Sequence, residues 1–134
     1  MTETHLSASE RQRLCDLAGL MIPAEPALGM PAASDPLILA DIERSIGRDL
    51  PAVHEALKSY RPGQEINDWY AGAGVPGQTL GRLVLAAYYR DDRVLVALGH
   101  EARAPFPKGY VVEQGDWSLL APVKQRTAFW RRDR

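Results

Sequence analysis

Proline and glycine fall at intervals that cut the chain's apolar periodicity into short segments, and this spacing sets the limit on what it can fold into. Pro23, Pro36, Pro51 and Pro62 each sit at an edge of a helical stripe and not in its middle. Proline is tolerated in the first turn of a helix and biases the residue before it away from helical geometry, so the positions mark starts and stops. A chain divided this way builds a bundle of short helices. Ser7-Ala8-Ser9-Glu10 has the form of a capping box, and behind it Leu14, Leu17, Ala18 and Met21 share one helical face, widened by Leu20 and Ile22, up to Pro23. Cys15 lies within this stripe and reads as a small buried hydrophobe. Asp35-Pro36 opens a second stripe (Ile38, Ile42, then Ser45 or Ile46) that Gly47 closes. Asp49 is expected to cap a third, carried by Leu50, Val53, Ala56, Leu57 and Tyr60 and ended by Arg61-Pro62-Gly63.

Between the stripes the reading is looser. Pro23 to Ser34 holds three prolines and Gly29, which predicts an irregular loop, packed through Leu28 and Met30. Asn67 to Tyr70 predicts a short separate segment, and Ala71 to Gly77 a glycine-rich turn. Thr79 then starts a helix with Leu80, Leu83, Val84, Ala87 and Tyr88 inward. Val94 to Leu98 is taken as helical because no strand partner is apparent. Gly99 to Gly115 predicts an irregular excursion, and Asp116 the cap of a last short helix with Trp117, Leu120 and Val123. The expected fold is mostly α: one compact domain over 1–134, of about four to six short helices with long ordered loops, frayed at 1–6 and 131–134.

The 134 residues suit one domain, and 46% hydrophobic with 25% charged residues places the chain among folded globular proteins and away from disorder. A net charge of −1 gives no global reason to bind nucleic acid or an anionic membrane. Residues 1–67 carry 6 basic against 10 acidic side chains and residues 68–134 carry 10 against 7, a mild polarity suited to orienting a partner. One cysteine excludes an intrachain disulfide. No apolar run reaches the roughly 18 residues of a membrane span. The start, Met1-Thr2-Glu3-Thr4-His5, lacks the features of a secretory signal, so a cytoplasmic location is expected.

Chemistry-bearing patterns are few. His5, His54 and His100 have no second ligand at helical spacing, and His54 with Lys58 reads as a solvated face. Gly72-Ala73-Gly74-Val75-Pro76-Gly77 reproduces a G-x-G-x-x-G spacing but lacks the preceding buried strand that dinucleotide binding requires. Asp91-Asp92 reads as a cap and not as an acid–base pair. No catalytic, metal or cofactor-binding residue is therefore assigned. Aromatic residues and arginine are enriched at interface hot spots, which points to Phe106, Tyr110, Phe129, Trp130 and Arg131 as a partner interface.

Leu17-Ala18-Gly19-Leu20-Met21-Ile22-Pro23-Ala24-Glu25, followed by Pro26-Ala27-Leu28-Gly29 and Ala32-Ala33-Ser34-Asp35-Pro36, resembles the opening of the gluconate 2-dehydrogenase subunit 3 family. Tyr88-Tyr89-Arg90-Asp91-Asp92 before Val94, Leu98-Gly99, and Pro105-Phe106-Pro107-Lys108-Gly109-Tyr110 are similar to that family's later segments. The resemblance implies a non-catalytic small subunit of a flavin-dependent dehydrogenase of the glucose–methanol–choline class. In such a complex the large subunit holds FAD and oxidises an alcohol or sugar, and the small one supports its folding, stability and sometimes export. Members commonly bear a twin-arginine signal, which this sequence lacks. The complex is then expected in the cytoplasm, or in the periplasm if the partner carries the signal. The competing expectations are an independent binding or enzymatic domain using Gly72–Gly77 and His100, and a homo-oligomeric structural protein.

Overall fold

A computed structural model describes residues 6–102 and 113–127. Helix α1 (Ala8–Met21) starts as its capping box dictates. The Ser7 hydroxyl accepts from the Glu10 backbone N–H, and the Glu10 carboxylate accepts from the Ser7 backbone N–H at 2.8 Å. Leu14, Leu17 and Ala18 are buried, whereas Leu20 is exposed and Cys15 only half-buried, which corrects the expectation of a buried thiol. Leu6, assigned to a frayed end, is buried as well: it immediately precedes the cap, and its side chain joins the core.

The 23–34 segment is held by local hydrogen bonds. Glu25 and Met30 exchange backbone bonds around a 3-10 turn at Pro26–Leu28, and the Ala33 N–H donates to the Ile22 carbonyl at 2.9 Å. Ala33 is buried and Met30 packs against the core, but Leu28 is 61% exposed and does not contribute the packing expected of it. Helix α2 (Pro36–Ser45) is capped by Asp35, and α3 (Leu50–Ser59) follows a 3-10 turn at Gly47–Asp49. Asp49 makes no capping bond. Its carboxylate accepts from Arg82 at 2.7 Å instead, a stronger charge-assisted partner.

Helix α4 (Ile66–Tyr88) overturns the reading of a short segment followed by a glycine-rich turn. Glu65 caps it, Trp69 is buried within its first arm, and only Gly74 leaves helical geometry, with φ 57° and ψ −145°. That conformation is open essentially to glycine alone. The chain bends there and resumes as helix, and Pro76 falls in the first turn of the second arm, where its missing N–H costs nothing. The bend brings the arms so close that a Cβ on Gly77 would stand 2.5 Å from that of Ala73. Helix α5 (Asp92–Ala97), capped by Asp91, bears out the helical reading of Val94 to Ala97, with Leu98 as its C-cap.

Helix α4 packs on α1, α2 and α3. The core contains Leu17, Ile38, Ile42, Leu57, Leu80, Val84, Tyr88 and Val94. Trp69 lies edge-on to Tyr60, its indole N–H donating to the hydroxyl of the exposed Ser59 at 3.0 Å, so its polar atom is satisfied at the edge of the core. The described residues contain no strand and no buried charged residue. This bundle belongs to a unit spanning Met1–Arg103, and Ala104–Arg134 forms a second. Within the second, Asp116 caps a 3-10 segment, Trp117–Leu120, that runs into α6 (Ala121–Lys124).

Candidate functional site

The five residues assigned to a partner interface, Phe106, Tyr110, Phe129, Trp130 and Arg131, lie outside the described residues. What the second unit does show is an unpacked apolar stripe. Residues three apart eclipse one another in a 3-10 helix, which puts Trp117 and Leu120 on one side, with Val123 three residues further on. Trp117 is 64% exposed, Leu119 74% and Val123 55%, and every described residue from 113 to 127 is exposed. The start of this segment is nonetheless well specified. The Ser118 hydroxyl and backbone N–H hold the Asp116 carboxyl below the usual carboxylate range, as a capped helix start requires.

On the bundle, the bend at Gly74 produces a groove. Residues 70 and 81 of an unbroken helix would lie about 16 Å apart along its axis. Here the Tyr70 ring comes within 3.3 Å of where a Cβ on Gly81 would be. The space between the last turn of α1 and the two arms of α4 has a volume of about 720 Å³. Its floor includes the buried Val84 and Gly81, and its lip the exposed Leu20, Leu85 and Tyr70.

Two clusters of titratable groups with shifted values tie helices of the bundle together. The Glu10 carboxyl is lowered to about 2, first by the Ser7 backbone N–H, then by the Ser7 hydroxyl, and further by His54, whose Nδ1 it meets. His54 thus joins α3 to the start of α1 and does not simply face solvent. Arg93 donates to both oxygens of Asp35 at 2.8 and 3.0 Å and also bonds Asp91, clamping the caps of α2 and α5 to each other. Both carboxyls are held below their ordinary range, chiefly by the Arg93 hydrogen bonds, and Arg93 is correspondingly raised. Burial pushes the Tyr88 phenol up, and its O–H donates to the Pro31 carbonyl at 2.9 Å.

Among the described residues no three His, Cys, Asp or Glu side chains gather as a metal site, and no helix is long and apolar enough to cross a membrane. Gly72–Gly77 is helical on both sides of Gly74, so the glycine-rich turn expected there, which carried the G-x-G-x-x-G spacing, is absent. His100 is exposed beyond the end of α5. The groove was not identified from sequence, although a signal existed. Leu20, Leu85 and Tyr70 are apolar positions beyond those that the helical stripes need for the core. No family model matches the chain, and no curated protein or solved structure does either.

Proposed function

We propose that this chain is a non-catalytic small subunit that binds a large FAD-dependent dehydrogenase of the glucose–methanol–choline class and supports its folding and stability. The observation that carries the reading is the Trp117–Leu120–Val123 stripe. Fully burying one such apolar side chain stabilises by about 1.5–3 kcal/mol, so a segment whose described residues are all exposed gains most of its order from a partner. The stripe sits in sequence between the two aromatic stretches expected to contact that partner, Phe106 with Tyr110 and Phe129 with Trp130. The two regions that resemble the subunit 3 family also meet in the fold, through Tyr88 on Pro31 and Arg93 on Asp35. Their residues serve packing, in keeping with a subunit that lends surface and no chemistry. FAD belongs to the partner in this reading, and the compartment, cytoplasm or periplasm, follows from where the partner is sent.

Co-expression with a candidate large subunit tests this. The complex should co-elute on size exclusion at the flavin absorbance, and the yield of FAD-loaded enzyme should fall without the small chain. Trp117→Ala with Leu120→Ala should weaken assembly and leave the helical circular dichroism of the isolated chain unchanged. A flavin peak that never contains the small chain, with activity equal in its absence, sinks the reading.

A further inference from the structure

We propose that the groove between the end of α1 and the bent α4 is a binding site for a neutral small molecule with an apolar body and a carbonyl or hydroxyl group at one end. The inference goes beyond the subunit reading, because the site lies wholly within the helical bundle and needs no second chain. Size is the first argument. A volume of about 720 Å³ matches a drug-sized ligand, for which pockets run to roughly 300–1,000 Å³.

The lining fixes the body of the ligand. Val84 and Gly81 form a buried floor, and Leu20 and Leu85 line the groove 46% and 50% exposed, so an apolar guest removes their surface from water. The lining also supplies partners for a polar group. Asn67 and Gln78 each present a side-chain amide that makes no hydrogen bond to the described residues, and the Tyr70 hydroxyl is likewise unengaged. An amide donates and accepts, so either a carbonyl or a hydroxyl is served. Charge then narrows the class. Among the described residues Arg82 is the one charged side chain lining the groove, and Asp49 already holds it at 2.7 Å. The Asp49 carboxylate already offsets that charge and the Arg82 side chain is largely exposed, so an anionic ligand gains little there and a cationic one finds no carboxylate in the lining, which favours a neutral molecule. Finally, the site is preformed. Tyr70 rests on the backbone of Gly81, and a preorganised wall lowers the ordering cost of binding.

The test uses the isolated full chain and Nile red, a neutral planar dye with a carbonyl, followed by its fluorescence. Saturable binding of one dye per chain is expected. Leu20→Arg and Leu85→Arg should each weaken it by about tenfold or more, because they set an unpaired charge against an apolar guest. Both positions are exposed, so circular dichroism should not change. Leu37→Arg, exposed on α2 and not part of the groove, and Leu119→Arg, in the second unit, should leave binding intact. The anionic dye 1-anilinonaphthalene-8-sulfonate should bind more weakly than Nile red. The proposal is overturned by non-saturable uptake, by loss of binding in Leu119→Arg, by one dye per two chains, or by tighter binding of the anionic dye. Assembly with a flavoprotein is a separate readout, so failure here leaves the subunit reading standing.

Discussion

Alanine placed at Gly72 and at Gly77 should change stability in opposite directions, although both glycines lie in the same helix, five residues apart. At Gly72 the backbone is helical and a new Cβ meets nothing within 4 Å. The substitution there removes unfolded-state freedom and adds helix propensity, a gain of about 0.5–1 kcal/mol. At Gly77 the same propensity term applies, but the Cβ would stand 2.5 Å from the Cβ of Ala73. Ordinary carbon–carbon contact is about 3.5–4.0 Å, so the deficit exceeds about 1 Å. Both atoms are borne directly by backbone, and relief requires the arms of α4 to open. Overpacking of this sort costs about 1–3 kcal/mol, which exceeds the propensity gain at all but its lower end. The net expectation is destabilisation by up to about 2.5 kcal/mol, centred near 1 kcal/mol, or a fall in melting temperature of several degrees where about 4–8 °C corresponds to each kcal/mol. Urea and thermal denaturation followed by circular dichroism would measure both variants. The double variant Ala73→Gly/Gly77→Ala removes the clashing methyl and should recover much of the loss, giving a coupling that two independent sites would not show. Equal stabilisation by the two alanines, or strict additivity in the double variant, would refute the bent geometry of α4.

Leu17→Ala, Ile42→Ala, Leu57→Ala and Leu83→Ala should each destabilise by about 2–5 kcal/mol in urea denaturation, because all four side chains are buried. No change at two or more of them would contradict the core described above. Arg93→Ala should cost about 1 kcal/mol near pH 7, a modest figure because the side chain is 42% exposed and the pairs are screened. Asp35 and Asp91 are depressed in the folded state, so their contribution is present above the unfolded carboxylate value of about 3.9 and is lost as pH falls through the folded values. The gap in urea midpoint between wild type and Arg93→Ala should therefore close on acidification from pH 7 to 2, and a gap constant across that range would show that the clamp contributes nothing through charge.

Features whose physical cause lies within one helical turn were legible in the sequence. The Ser7–Glu10 capping box, the Asp35-Pro36 start of α2 and the Asp91 and Asp116 caps all depend on a side chain reaching a backbone N–H two or three residues on. The buried stripes of α1, α2 and α3 and of the second arm of α4 were legible for the same reason, since 3.6-residue spacing determines which side chains face the same way. Asp49 marks the limit of such reasoning. It has the residue type and the position of a cap, yet an arginine 33 residues away, brought in by tertiary packing, takes its carboxylate. Leu28 is the complementary case, because an apolar residue in a loop says that something covers it or that nothing does, and local pattern does not choose.

The stretch Ala71 to Gly77 shows why the groove lay beyond reach. Four small residues, a valine, a proline and a final glycine have the composition of a turn, and propensity sums them as one. The fold uses them one at a time. Gly74 alone supplies the left-handed backbone, Gly77 supplies room for Ala73, and Pro76 does no more than begin the second arm. The small residues at 73, 77 and 81 are the cost of bringing two helical arms into contact, and only that contact sets Tyr70 over Gly81. A site made by closeness between residues 11 apart leaves no trace in helical or strand periodicity. Its trace is the set of apolar side chains left over once the core is filled, here Leu20, Leu85 and Tyr70. By the same logic, Trp117, Leu120 and Val123 form a second set of exposed apolar side chains. The two surfaces differ in shape: one is a concave groove with an apolar lip and side-chain amides in its lining, whereas the other is a convex helical edge.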